Sequence, residues 1–107
     1  MANTSHWKAP LPVRRALAEL GQDVLNWRKL NGLTAAQVAD RAGIAPRTLR
    51  SLEQGKGSIS LENTLRVLRA LGLLELLTTA LDPYESSVGR LRADELLPQR
   101  VRPRKLV

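Results

Sequence analysis

Apolar residues recur at helical spacing along most of this chain, and polar turn residues divide the recurrences into segments. Val13, Leu17, Leu20, Val24 and Trp27 fall at alternating steps of four and three, which predicts one stripe on a first helix that begins at Pro12. Proline is tolerated there because the first helical turn does not use its missing N–H. Asn31-Gly32 ends this helix, since both residues accept a left-handed cap. Thr34-Ala-Ala-Gln37 has capping-box spacing and starts a second helix, with Val38, Ala39 and Ala42 facing inward. Gly43 makes a turn, Ile44 plugs the core, and Pro46 opens a third helix whose inward side is Leu49 and Leu52. Ala45, at the N-cap of that helix, offers no side-chain acceptor. A loop over Gln54–Ser58 follows, with Ile59 as a buried anchor. Ser60 caps a fourth helix carrying Leu61, Leu65, Leu68 and Leu71, and Gly72 breaks it. Leu73, Leu76, Leu77, Ala80 and Leu81 predict a fifth helix that ends at Asp82-Pro83, and Leu74 adds apolar surface off that stripe. No internal repeat is visible.

Composition narrows the fold. The 107 residues include no Phe and only Trp7, Trp27 and Tyr84 as aromatics, so the core is aliphatic and packed helices are favoured over a β-sandwich. The expected architecture is all-α: a loose arm over residues 1–11, a five-helix domain over 12–82 and a basic tail over 83–107. Trp27 is expected in the core, and Trp7 and Tyr84 are expected to cover Leu74 and Leu77. Residues 84–107 hold six Lys or Arg against three acids, with Pro98 and Pro103 as breakers. Within them Gly89–Leu97 has the pattern for one or two helical turns, and Gln99–Lys105 is basic and extended.

The net charge of +7 suits a polyanionic partner: nucleic acid, an anionic membrane or an acidic protein surface. The absence of cysteine removes disulfides and thiolate zinc sites. No apolar run approaches the roughly 20 residues that span a bilayer, and the N-terminus lacks a signal-peptide core. The expectation is a cytoplasmic protein with no membrane partner.

Residues 33–56 carry the most specific signal. Two short helices joined at Gly43 form a helix-turn-helix, a unit that lays its second helix in the DNA major groove. Arg47 and Arg50 lie three apart, share a face, and can each pair bidentately with guanine. Phosphates are expected at the N-termini of the second and third helices, where free N–H groups and the helix dipole attract anions. The candidates are Thr34, Ala35, Thr48 and the loop Lys56-Gly57-Ser58. That loop faintly resembles a nucleotide-binding turn, but Arg50 stands where such a turn needs glycine. His6 is the only histidine and has no ligand neighbour, and adjacent Asp94 and Glu95 diverge on a helix. The sequence therefore nominates no catalytic group, metal or cofactor.

Leu20-Gly21, Arg28, Leu33-Thr34, Val38-Ala39, Ala42-Gly43-Ile44, Glu53-Gln54-Gly55-Lys56 and Leu61 through Ala70-Leu71-Gly72 follow one familiar pattern in register. Residues 20–81 resemble the XRE, or Cro/repressor-like, helix-turn-helix family. The resemblance implies a lambda-repressor-like domain that binds double-stranded DNA as a homodimer on a palindromic operator, in bacteria or their phages. It places the groove-facing side of the third helix at Pro46, Arg47, Arg50 and Ser51. It also implies an internal salt bridge between Arg28 and Glu53. Members often carry Gln or Ser where this chain has Pro46, and a polar residue where it has Ala35 and Ala45. Readout at Pro46 is therefore apolar or absent, and Ala35 and Ala45 can offer only backbone donors. Leu73, Leu74, Leu77 and Leu81 are the dimer-interface candidates. Within the family, the Lys56–Leu61 loop, the Leu65–Gly72 helix, Gly89–Arg92 and Gln99–Arg102 look most like HipB-like antitoxins, which implies a HipA-like kinase toxin as a possible partner. A protein-interaction module that kept the fold and lost DNA readout is the remaining alternative.

Overall fold

A computed structural model describes residues 8–97, and every regular element among them is helical. The order is α1 (Leu11–Leu30), α2 (Ala35–Ala42), α3 (Pro46–Glu53), α4 (Leu61–Ala70), α5 (Leu74–Leu81), a 3-10 turn (Pro83–Glu85) and α6 (Ser87–Leu96). The chain divides into two compact units between Leu74 and Glu75.

In the first unit, α1 packs on α3, and α2 packs on both α3 and α4. The buried apolar residues of this unit are Val24, Val38, Ala39, Ala42, Leu49, Leu52, Val67, Leu68 and Leu71. Helices α2 and α3 are only eight residues long, too short to persist alone in water, so this burial holds them. Ile44 and Ile59 are half-buried at the edge of the core.

Three expectations from periodicity shift. Helix α1 starts at Leu11, one residue before Pro12, and Pro10 takes the N-cap. Its inward side runs through Leu17, Gly21, Val24 and Arg28, whereas Trp27 is 42% exposed and Val13 is also exposed. Trp27 is therefore not a core residue. The helix has turned toward a glycine and a charged residue, neither of which registers in an apolar stripe. On α4, Leu61 is 71% exposed and Val67 is fully buried instead. Leu61 is the first residue of its helix.

Gly21 explains how closely α1 approaches. A Cβ at this position would lie 2.4 Å from Leu52 O, 2.8 Å from Glu53 O and 2.9 Å from Gly55 N, all backbone atoms. Those atoms cannot rotate aside as a flexible side chain would. Gly21→Ala is therefore expected to lower stability by about 1–3 kcal/mol, as overpacking does, although alanine is the better helix former. A urea-unfolding midpoint equal to that of the wild type would show that α1 does not sit this close to α3.

The second unit holds most of α5, the 3-10 turn and α6. Asp82 Oδ1 accepts from Tyr84 N at 2.9 Å, and Ser86 Oγ accepts from Gly89 N at 2.9 Å, capping α6. The stretch from Pro83 to Leu96, expected as the start of a basic tail with at most two helical turns, is thus a 3-10 turn followed by a ten-residue helix. A serine cap and small residues let it form despite Gly89. Tyr84 is half-buried within this unit. Residues 1–7, including His6, Trp7 and most of the expected arm, lie outside the described residues, as does the basic run Gln99–Lys105.

Candidate nucleic-acid interface

The turn between α2 and α3 is set locally. Gly43 takes φ 70°, a left-handed conformation that favours glycine, and its N–H donates to Asp40 O at 3.1 Å. Ile44 N then donates to Ala39 O at 3.0 Å, closing the end of α2. Ala45 is extended, and Pro46 enters α3 with its φ already helical. Leu49 and Leu52 are buried, so the opposite side of α3 faces outward. Pro46, Arg47 and Arg50 are exposed there, and Ser51 and Thr48 are half-buried at its flanks. Gln54, the C-cap of α3, is exposed and follows Arg47 by seven residues and Arg50 by four. It continues the polar strip and was missed because it reads as the first residue of a loop.

Charge on this face is uncompensated. Among the described residues the ion pairs are Arg28–Glu53 and Arg66–Glu62, so Arg47, Arg50 and Lys56 carry their charges without an acidic partner. An unpaired, exposed guanidinium is available to a base edge or a phosphate.

Arg28 and Glu53 join the ends of three helices. Arg28 Nε donates to Glu53 Oε2 at 2.7 Å and its NH2 group donates to Glu53 Oε1 at 3.2 Å, a bidentate pair. NH1 donates to Leu33 O at 3.2 Å, one residue before the N-cap of α2. The side chains are 14% and 11% exposed, so water screens the pair only weakly. The pair thus ties α1 to the end of α3 and to the entrance of α2.

That entrance is a complete capping box. Thr34 Oγ1 accepts from Gln37 N at 3.1 Å, and Gln37 Oε1 accepts from Thr34 N at 2.9 Å. Val38 N is bonded to Thr34 O. The backbone N–H groups of Ala35 and Ala36 have no acceptor among the described residues, and the Thr34 hydroxyl keeps its proton free to donate. These are the donors that α2 can offer an anion. Helix α3 offers less. Pro46 has no N–H, and Thr48 N already donates to Ala45 O at 3.0 Å. Thr48 can therefore contribute its side chain but not its backbone.

The loop after α3 returns beside its end. Lys56 N donates to Ser51 O at 3.0 Å, and Lys56, Gly57 and Ser58 are all exposed. Ser58 takes φ 64° and its hydroxyl is bonded to Gly57 O.

The remaining candidates fall elsewhere. Leu73, Leu74 and Leu77 are half-buried, Leu81 is exposed, and α5 has no fully buried residue. An open apolar hollow of about 370 Å³ runs along α4 between Leu61, Leu65 and Leu74, flanked by Glu62, Arg66 and Arg69. It contains no paired nucleophile and base. Among the described residues no cluster of His, Asp or Glu could hold a metal ion, and no helix is long and apolar enough to cross a membrane.

Comparison with known proteins agrees with this geometry at the level of the domain. The family described as helix-turn-helix matches residues 24–76, from the middle of α1 into α5. No match is found among curated proteins or among solved structures.

Proposed function

This chain belongs to the XRE-type helix-turn-helix family and is a DNA-binding transcription regulator; we propose that it is a repressor that binds a two-fold symmetric operator as a homodimer. The observation that carries this reading is the outward side of α3, where Arg47 and Arg50 stand exposed and unpaired on a helix fixed from behind by Leu49, Leu52 and the Arg28–Glu53 pair. In the proposal, Pro46, Arg47, Arg50 and Ser51 meet base edges. Thr34, Ala35, Thr48, Lys56, Gly57 and Ser58 hold phosphates, and Gln54 extends the reading strip.

Support for the homodimer comes from α5, where Leu76 and Leu81 leave apolar surface exposed on a helix with no buried residue. Leu73, Leu74, Leu77 and Leu81 are the proposed contact. The site of action is the cytoplasm of a bacterium, at its nucleoid. The family is regulatory and not an enzyme family, and no catalytic step is proposed. The antitoxin reading gains no specific support from the described residues, and the tail motif Gln99–Arg102 lies outside them.

The test is selection of bound duplexes from a random library by the full-length chain, followed by sedimentation of the complex. The expected product is an inverted repeat with half-sites about 34 Å apart centre to centre, one helical turn, carrying two chains. Recovery of a single unrepeated site bound by one chain would overturn the dimer. No enrichment at all would overturn sequence-specific repression.

A further inference from the structure

The first turns of α1 lie outside the residues that match the helix-turn-helix family. The family match begins at residue 24, whereas α1 begins at Leu11. Residues 11–16 are all exposed, so packing does not account for them. Helix stability does not account for their charge either. Arg14 and Arg15 stand near the N-terminus, where the helix dipole favours acids, and the first turn has no acidic residue. The acids of α1, Glu19 and Asp23, lie in its middle, and among the described residues neither pairs with an arginine. Arg14 Nε donates to Ala9 O at 3.1 Å, which holds its stem against the helix start and leaves its charge unneutralised.

These turns lie next to the loop that follows α3. A Cβ on Gly55 would lie 2.8 Å from Ala18 Cα, and one on Gly57 would lie 3.9 Å from Leu17 Cδ1. Lys56 therefore leaves the loop where it crosses Leu17 and Ala18. Arg14 precedes Ala18 by four residues and Arg15 precedes it by three, which places both one turn away on the same side of α1. Three exposed cations on two elements thus gather beside the C-terminal end of α3.

We propose that Arg14, Arg15 and Lys56 form one clamp for the phosphodiester backbone flanking the bases that α3 reads. The proposal rests on the DNA-binding reading and extends the footprint past the helix-turn-helix unit. The clamp takes any sequence, because phosphates carry no base identity.

Sequence independence makes the test possible without the operator. Full-length chain is titrated with a labelled mixed-sequence duplex across a salt series, and log K is plotted against log salt. Each neutralised phosphate contributes about 0.9 to the slope, so Arg14→Ala with Arg15→Ala should flatten it by about 1–2. Alanine keeps the helix, and Arg14→Lys with Arg15→Lys should restore the slope. Arg41→Ala with Arg69→Ala removes the same charge from exposed positions on α2 and α4 and should flatten the slope by less than half as much. An R14A/R15A slope equal to that of the wild type or of R41A/R69A would overturn the clamp. Wild-type chain with no salt-dependent affinity for any duplex would overturn the DNA-binding reading and the clamp with it. The two failures are thus distinguishable.

Discussion

Glu53→Ala is expected to lower the unfolding free energy by about 3–5 kcal/mol, the loss typical when one partner of a buried ion pair is removed. The magnitude follows from what is left behind. Arg28 is 14% exposed, so the truncated protein holds a largely desolvated guanidinium with two donors unsatisfied. For a domain of this size each kcal/mol moves the thermal midpoint by about 4 °C or more, so a drop of at least about 12 °C is expected. Glu53→Leu with Arg28→Met should recover most of the loss, because a well-packed apolar pair has no charge to desolvate. The recovered protein would still lack the bond from Arg28 NH1 to Leu33 O that fixes the entrance of α2. Its stability and its DNA affinity should therefore separate. A loss below about 1 kcal/mol for Glu53→Ala would mean that the pair behaves as a surface contact.

Local rules made the centre of the molecule legible in the sequence. The capping box at Thr34, the glycine at 43 and the proline at 46 each constrain a few neighbouring residues, and those constraints are satisfied within the segment itself. The outward placement of Arg47 and Arg50 then follows from the burial of Leu49 and Leu52 on so short a helix. What the sequence did not reveal depends on partners far along the chain. Gly21 and Arg28 belong to the inward side of α1 only because Leu52 and Glu53 come to meet them, and an apolar stripe cannot register either residue. Trp27 was drawn into that stripe by its hydrophobicity and spacing, yet α3 covers the neighbouring face. Val67 replaces Leu61 in the core because α2 meets the middle of α4, where Arg66 NH1 donates to Ala42 O, while Leu61 stands exposed as the first residue. Helix α6 is longer than its sequence pattern suggests because Gly89 lowers its intrinsic propensity, while the Ser86 cap and the preceding 3-10 turn supply what propensity lacks.

Arg47→Ala with Arg50→Ala is expected to abolish recognition of the selected operator while leaving the fold intact. Each lost base contact weakens specific binding by about 1–3 kcal/mol, which puts the double variant roughly 2–6 kcal/mol below the wild type. The two residues share a face three positions apart, so the single substitutions need not sum to the double one. Both side chains are exposed and have no acidic partner among the described residues, and unfolding stability should therefore stay within about 0.5 kcal/mol. Measuring each single variant against operators with one base pair changed assigns the roles. An arginine that reads guanine loses discrimination at that position alone, whereas one that holds a phosphate weakens every duplex equally and flattens the salt dependence. Pro46 sharpens the comparison. It has no donor to offer at the start of α3, so hydrogen-bonded discrimination that survives both arginine substitutions comes from Ser51, Thr48 or Gln54, and apolar discrimination from Pro46 itself. Unchanged operator affinity in the double variant would remove the outward side of α3 as the reading surface.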